Sequence, residues 1–432
     1  INKLKQKNMD TTQKTQSYAL PIAMMFALFF MIAFVTGLPS PMGVIVANQF
    51  GASNFESQLG FLGNFIAYAF MGIPAGIMLK KLGYKVTALI AIAVGFVGVG
   101  VQFLSGQVGL FAVYLIGAFI SGFSMCMLNT VVNPMLNTLG GGGNSGNKLL
   151  QFGGSLNSIG ATITPMLVGY LMGAEAGRTI EKANPALFLA MGIFAVAFVV
   201  LSFVKIPEPH KETAEERSVK HAHSPLSFRH FIFGAIAIFI YVGTEIGIPS
   251  TANLFMTAKT TAENPGLGID ATVAGSIVGV YWLLMLVGRL VGGILGSTIS
   301  SKKMLISVSV LGLFLILLAI FTPVATTVTL PFNGAQVPLS IVFLVLCGLC
   351  TSIMWGGIFN LAVEGLGKYT AAASGIFMVM VCGGGIVPLI QGWVSDNFGY
   401  MNSYWVMFAC LAYMLWYALI GCKNVNTDIK VD

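Results

Sequence analysis

The fold of this chain is constrained above all by a series of apolar segments, each about 20 residues or longer and so able to cross a bilayer as a helix. About twelve such segments follow one another with short polar connections. Charged residues make up 9% of the chain, against about 25% in a soluble domain. The sequence therefore predicts an all-α membrane protein with twelve transmembrane helices in a lipid bilayer. The predicted spans are 19–47, 57–79, 86–105, 108–136, 148–173, 184–204, 231–257, 270–297, 303–323, 338–362, 369–394 and 402–421.

One long polar segment, 205–230, divides these spans into two sets of six. It contains all four histidines of the chain, which could form a metal site. A solvated linker is the favoured interpretation, and no cofactor or metal is predicted. The predicted organisation is an N-terminal tail 1–18, a six-helix half 19–204, the linker 205–230, a second six-helix half 231–421 and a C-terminal tail 422–432.

Basic residues are distributed very unevenly between the two sides of the predicted bundle. Of the 22 Lys and Arg residues, all but Arg178, Lys182 and Lys259 fall in the tails, the linker and the even-numbered connections. Since cytoplasmic loops carry the excess of Lys and Arg, both termini and the linker are predicted to be cytoplasmic, in a multi-pass protein of the inner membrane. Lys80 and Lys81 belong to this topology signal and could serve gating. The net charge of +7 is attributed to the same topology signal, so no nucleic-acid partner is expected.

The two halves repeat each other weakly. Similar short patterns recur in corresponding helices, at offsets of a little over half the chain. Two parallel six-helix halves with a substrate site at their interface, near the membrane midplane, are the arrangement of major-facilitator transporters. The repeat therefore predicts that fold. The matched positions are Gly72 and Gly76 with Gly288 and Gly292, Asn133 with Asn360, and Gly160, Pro165 and Gly169 with Gly383, Pro388 and Gly392.

The candidate coupling residue is Glu245, a carboxylate near the middle of the seventh span. A charge at that depth costs roughly 2.5 kcal/mol or more unless it is neutralised, paired or hydrated. Glu245 could hold a proton, could ligate Na⁺ together with oxygens such as those of Thr244 or Ser250, or could be a protonated structural group. Arg289 is placed at the cytoplasmic end of the eighth span, roughly 20 Å from the depth of Glu245. It is interpreted as a gating or topology residue and not as the partner of Glu245.

Uncharged polar and aromatic side chains within the spans form the candidate substrate site. Amides in lipid need partners, so they either join helices or surround a polyol with donors and acceptors. Mid-span aromatic residues could stack on a sugar face or simply pack. The predicted substrate-binding residues are Asn129, Asn133, Gln151, Asn157, Tyr241, Tyr281, Trp282, Trp355, Asn360 and Gln391. An intramembrane enzyme is not predicted, because paired acids or a Ser–His arrangement within the spans are missing.

Five stretches carry a resemblance to known proteins: PAGIMLKKLGYK at 74–85, NTVVNPMLNTLG at 129–140, LNSIGA at 156–161, YVGTEIG at 241–247 and CGGGIVPLIQGWVSDNFG at 382–399. Together and in this order they resemble the fucose–galactose–glucose symporter family of the major facilitator superfamily. The resemblance spans both halves and implies a twelve-helix fold, a central site and cation-coupled sugar uptake by alternating access. Within it, Glu245 matches a helix-seven residue common in the glucose/galactose branch, and Trp355 matches an aromatic position of the fucose permease branch.

The sequence departs from this family at two acidic positions. In the fucose permease branch an Asp of helix one and a Glu of helix four serve sugar recognition and proton coupling; here Val44 and Asn129 stand there. The favoured interpretation is a monomeric symporter for a hexose or related sugar that uses H⁺ and not Na⁺. The alternatives are Na⁺ coupling, an amino sugar, glycoside or exported amphiphile as substrate, and a sensor that does not transport.

Overall fold

The structure is a computed structural model in which most described residues are helical. The prediction for the N-terminal tail lies outside these residues except at Tyr18, and so does most of the central linker. The structure describes residues 18–39, 42, 45, 53–139, 143–172, 180–208, 223–295, 299–331, 334–366, 369–426 and 428–429.

The described residues form twelve long helices, counting two that are each interrupted once. The first six are α1 (Ala19–Gly37), α2 (Leu59–Leu82), α3 (Tyr84–Val108), α4 (Phe111–Leu139), α5 (Gly143–Met172) and α6 (Asn184–Phe203). The second six are α7 (Arg229–Thr257), α8 (Ala271–Leu295), α9 (Ser301–Phe321), α10 (Leu339–Thr351 with Met354–Val363), α11 (Thr370–Met380 with Gly383–Phe398) and α12 (Tyr400–Trp416, continued by a π turn to Gly421).

Eleven helices within the described part of the chain are long and apolar enough to cross a membrane. The remaining long helix, α5, has 30 residues and is more polar, because its first turns are rich in Gly, Asn and Ser. The observed helices agree with the predicted spans to within a few residues at most boundaries. The first span was predicted to reach residue 47; α1 is continuous from Ala19 to Gly37, and after a turn at Leu38 the described residues Pro39, Met42 and Ile45 are helical as well.

Two predicted continuous spans, 338–362 and 369–394, are each interrupted. In α10 the break lies at Ser352 and Ile353, where the Ser352 hydroxyl donates to the Leu349 carbonyl and competes with the helical pattern. In α11 the break at Val381 and Cys382 precedes three consecutive glycines, which lack the side chains that favour a helix interior. A short antiparallel hairpin between α9 and α10, β1 (Thr327–Thr329) with β2 (Gln336–Pro338), was not predicted.

The prediction that all four histidines lie in the linker is wrong for His230. This residue is the second of α7 and is buried, with its Nε2 atom 3.0 Å from the Glu364 carbonyl oxygen. A turn at Pro225–Ser227 ends the polar stretch, so the helix begins at Arg229. His210 and His221 lie outside the described residues.

The two halves pack against each other chiefly through α2 with α11 and through α5 with α8. The approach is close because glycines stand at the crossing points. A Cβ atom added to Gly385 of α11 would lie 2.7 Å from the Leu62 Cα atom of α2. We call the end of the bundle that bears the segment between α6 and α7 the linker end. The opposite end, which bears the hairpin and the α7–α8 connection, is the far end.

Candidate functional site

The centre of the candidate site is an ion pair between α7 and α8. Arg289 Nη2 lies 3.3 Å from Glu245 Oε1, and the two side chains are only 12% and 14% exposed. The prediction that Arg289 is not the partner of Glu245 is therefore wrong. Counted at 1.5 Å per residue from the far end, Glu245 lies about 18 Å along α7 and Arg289 about 27 Å along α8, so that their heights differ by about 9 Å. Two long side chains that point toward each other cover that difference.

Arg289 also contacts the other half of the molecule. Its Nη1 atom donates to the Gly154 carbonyl oxygen at 2.7 Å and to Ser158 Oγ at 2.9 Å, both on α5. Gly154 has no side chain, and an added Cβ atom there would come 3.6 Å from the guanidinium. Arg289 is therefore a charged group that binds α7 of the second half and α5 of the first half at once.

A third contact of Arg289 lies at the interruption of α10. Its Nε atom donates to the Ser352 carbonyl oxygen at 3.4 Å, at the break in the helix. The backbones can approach because position 288 is glycine, where an added Cβ atom would lie 2.2 Å from Ser352 Oγ. The Ser352 carbonyl oxygen at the break is thus bonded to the guanidinium, as a buried acceptor must be.

Tyr281 has a structural partner that the sequence did not indicate. Pro249 in α7 has no N–H, so the Glu245 carbonyl oxygen four residues earlier lacks its helical donor. The Tyr281 hydroxyl donates to that oxygen at 3.2 Å and lies 3.0 Å from Thr351 Oγ1. Tyr281 is 1% exposed. Its hydroxyl therefore fixes the backbone that carries Glu245, and its predicted contact with substrate stays a prediction.

The other aromatic candidates lie around the ion pair. The ring centroids of Tyr241 and Trp355 are 6.2 Å apart and the rings are tilted by 55°. Tyr241 is fully buried beside Glu245 and Arg289, yet its hydroxyl makes no hydrogen bond of normal geometry. Trp355 is half-buried, so part of its ring remains accessible. Trp282 packs edge-on against Tyr281, with centroids 5.3 Å apart.

Three candidate amide side chains of the first half donate hydrogen bonds to other groups of the protein. Asn129 Nδ2 donates to the Tyr68 hydroxyl at 2.9 Å, which joins α4 to α2. Asn133 Nδ2 donates to the Asn129 carbonyl oxygen at 2.9 Å, and Asn157 Nδ2 donates to the Phe29 carbonyl oxygen at 3.3 Å. The helix-joining interpretation therefore has support for Asn129 and Asn157, whereas Asn133 bonds within α4; binding of a ligand to these side chains stays a prediction.

The remaining candidates are not brought to the ion pair. Asn360 is exposed on the linker-end part of α10. Gln391 is fully buried on α11 with neither amide atom bonded, and its Oε1 would lie 2.7 Å from a Cβ atom at Gly247. The side chain of Gln151 lies outside the described residues. Lys80 and Lys81 end α2 at the linker end, where their charges suit the helix dipole.

Comparison with known proteins gives one consistent relationship. A family model described as the Major Facilitator Superfamily matches residues 24–387. A glucose/galactose transporter of Brucella abortus biovar 1 (strain 9-941) is 29% identical over 96% of this chain and 97% of its own length. The L-fucose-proton symporter of Escherichia coli (strain K12) is 25% identical over 89% of each chain. The crystal structure of the Major Facilitator Superfamily transporter FucP in the outward conformation superposes with a TM-score of 0.69 at 22% identity, over 95% of this chain and all of that one.

Proposed function

The chain belongs to the Major Facilitator Superfamily, and we propose on that premise that it takes up a hexose or related sugar together with a cation, by alternating access. The membership confirms the predicted family and the twelve-helix fold. It also confirms that the protein is a multi-pass membrane transporter and not an enzyme, since its relatives are transporters. The substrate, the coupling ion and the orientation belong to the proposal.

The case for a sugar comes from the relatives and from the chemistry beside Glu245. Two relatives are named for glucose/galactose and for L-fucose. Trp355 offers an accessible ring face on which a sugar can stack, and the Tyr241 hydroxyl, which lies beside Glu245 and Arg289 without a hydrogen bond of normal geometry, can exchange one with a sugar hydroxyl. Asn157 lies one residue before Ser158 on α5 and donates to the Phe29 carbonyl oxygen of α1, and its binding to a sugar is part of the proposal.

The observation that carries the coupling proposal is the Glu245–Arg289 ion pair. A buried carboxylate must be paired or neutralised, so Glu245 can release Arg289 when it takes up a proton. A proton is favoured over Na⁺ because the guanidinium already occupies the cation position, 3.3 Å from the carboxylate oxygen. Sodium would have to displace Arg289 or lie beside a second positive charge.

The decisive experiment measures uptake of glucose, galactose and fucose into proteoliposomes that contain the purified protein. We expect one of these sugars to be concentrated when an inward proton gradient is imposed, and not when only a sodium gradient is imposed. Accumulation of the sugar driven by a sodium gradient alone would show that the coupling ion is Na⁺ and not H⁺. Binding without any accumulation would favour a sensor.

Trp355→Ala is expected to weaken sugar binding by roughly 1–3 kcal/mol, about 5- to 150-fold in Kd, because it removes the stacking face. Trp355→Phe keeps an aromatic ring and should lose less. The matched control is Trp393→Ala, which removes an exposed tryptophan on the outer face of α11. Isothermal titration calorimetry, which does not depend on tryptophan fluorescence, measures the Kd of the sugar for each variant. Normal affinity of a folded Trp355→Ala protein would leave Trp355 a packing residue.

The proposed orientation puts both termini and the linker in the cytoplasm of a bacterial cell, in the inner membrane, with the protein acting as a monomer. A cysteine at Ser218 in the linker should resist an impermeant thiol reagent in intact cells whose transporter lacks the six native cysteines. A cysteine at Ala325, exposed beside the far-end hairpin, should react. The opposite pattern would reverse the orientation.

A further inference from the structure

The residue that prompts a further inference is Asp396, in the last turn of α11. An acidic group near the C-terminal end of its own helix is unfavourable, because that end carries the negative pole of the helix dipole. Gly399, at φ +90°, ends the helix directly afterwards. The position of Asp396 therefore calls for a favourable interaction outside α11.

The carboxylate of Asp396 binds the start of a helix in the other half. Its Oδ1 accepts the Asn54 backbone N–H at 2.9 Å, and its Oδ2 accepts the Phe55 backbone N–H at 2.9 Å. These residues begin the short helix Asn54–Ser57, which leads into α2. The first N–H groups of a helix have no partner within it, and the positive pole of the dipole favours an anion there.

The capping of this short helix is divided between the two halves. Ser53 Oγ accepts the third N–H, from Glu56, at 3.2 Å, within the first half. Asp396 accepts the first and the second. The helix start is therefore fully satisfied only when the far end of α11 is docked on it. Glu208 offers a matched comparison, because its carboxylate accepts the Tyr84 and Lys85 backbone N–H groups at the start of α3, and it follows the end of α6 in the same half by only five residues.

Further contacts between the halves surround the Asp396 pair. The Tyr400 hydroxyl donates to Asn54 Oδ1 at 2.9 Å, and Ser250 Oγ donates to Gln58 Oε1 at 2.9 Å, in buried surroundings. A Cβ atom at Gly392 would lie 2.9 Å from the Asn54 carbonyl oxygen. The far-end part of α7, from Ile246 to Thr257, is buried on every face. The far end of the boundary between the halves is thus closed in this structure.

We propose that Asp396, Asn54, Phe55 and Tyr400 form a far-end latch, a contact between the halves that exists only while the far side is closed. Alternating access requires the far ends of the two halves to separate during the cycle. Separation removes the carboxylate from the short helix and returns both to water. The latch therefore sets the balance between the closed and the open far side. It rests on membership of the transporter superfamily and does not depend on which sugar or ion is carried.

The closed far end also contains groups that oppose closure. Gln58 Nε2, Ser395 Oγ and both amide atoms of Gln391 are buried there without a hydrogen-bond partner. Burying such groups is unfavourable, and water can satisfy them when the far side opens. The charge-assisted bonds of Asp396 offset that cost. The hydrogen bonds of Asp396 favour the closed far side, and the buried groups without partners favour the open far side. These opposing contributions keep the closed and open states close in free energy, as a carrier requires.

The test uses Asp396→Asn, which keeps the shape of the side chain but loses its charge and one of its two acceptors. Spin labels at Leu110→Cys and Ala325→Cys, exposed at the far ends of the first and second half, report the separation by pulsed electron paramagnetic resonance in nanodiscs. The background lacks the native cysteines. We expect the ratio of long-distance to short-distance populations to rise about tenfold, as for the loss of one charge-assisted hydrogen bond.

Glu208→Gln is the control, because it weakens the same kind of helix cap within one half. It should lower the thermal unfolding temperature and leave the distance distribution unchanged. Tyr400→Phe removes only the hydroxyl and should shift the distances in the same direction as Asp396→Asn, by a smaller factor; it also serves if Asp396→Asn does not fold. Unchanged distances in a folded Asp396→Asn protein would overturn the latch. If Asp396→Asn does not fold, unchanged distances in a folded Tyr400→Phe protein would overturn it instead. An equal shift in Glu208→Gln would do the same.

Discussion

Glu245→Gln is expected to abolish concentration of the sugar against its gradient while leaving binding and exchange largely intact. The amide keeps the size of the side chain and an oxygen that can accept from Arg289, but it cannot take up or release a proton. The variant therefore resembles the protein with Glu245 permanently neutral. If the proton drives uptake through this residue, the sugar should reach equal concentrations on both sides of the membrane and go no further.

The measurement compares accumulation, counterflow and sugar-dependent proton influx in proteoliposomes. The matched control is Glu263→Gln, which neutralises an exposed carboxylate in the α7–α8 connection, and it should behave like the parent protein. The sign of the pH effect follows from the proposal: acidification of the outside accelerates uptake by the parent protein and has no such effect on Glu245→Gln. Uphill accumulation by Glu245→Gln with unchanged proton dependence would make Glu245 a structural residue.

The helices themselves could be predicted because the constraint that creates them acts locally. Each span must satisfy its own backbone in lipid, so a long apolar run is helical whatever it packs against. The seventh span, predicted as 231–257 and observed as Arg229–Thr257, is an example. The break in α10 could not be predicted in this way. The stretch TSIMWGG looks like the surrounding apolar sequence, and the Ser352 carbonyl at the break accepts from Arg289, which lies 63 residues away.

The candidate site was predicted in its components but not in its pairing. Glu245 was identified because an acid is rare in an apolar span, and that signal is local. Its partner was missed because the depth of Arg289 was judged from its backbone and not from the reach of its side chain. The contacts of Arg289 with the Gly154 carbonyl oxygen and of Tyr281 with the Glu245 carbonyl oxygen involve backbone atoms, which carry no signature in the sequence. Pro249 was the one local indication that a carbonyl in α7 needed another donor.

The second large effect is expected for Arg289→Gln. This change removes the charge that neutralises Glu245 and shortens the bridge from α7 to α5. Breaking a buried ion pair by removal of one partner costs about 3–5 kcal/mol, because the other charge is left unpaired. Glu245 escapes part of that cost by holding a proton. We therefore expect Arg289→Gln to lower the thermal unfolding temperature most strongly at alkaline pH, where an unpaired carboxylate must ionise, and to abolish accumulation.

The double variant Glu245→Gln with Arg289→Gln separates the charge of the pair from the rest of the network. Two amides can still bond to each other and bury no charge, so the double variant should unfold at a higher temperature than Arg289→Gln alone, and its stability should lose the added pH dependence.

Ser158→Ala is the matched control, because it removes one neutral acceptor of Arg289 and leaves the ion pair in place. It should cost no more than about 1.5 kcal/mol and should preserve uphill uptake. Equal destabilisation by Arg289→Gln in the presence and absence of the Glu245 carboxylate would show that Arg289 acts through Gly154 and Ser352 and not through Glu245.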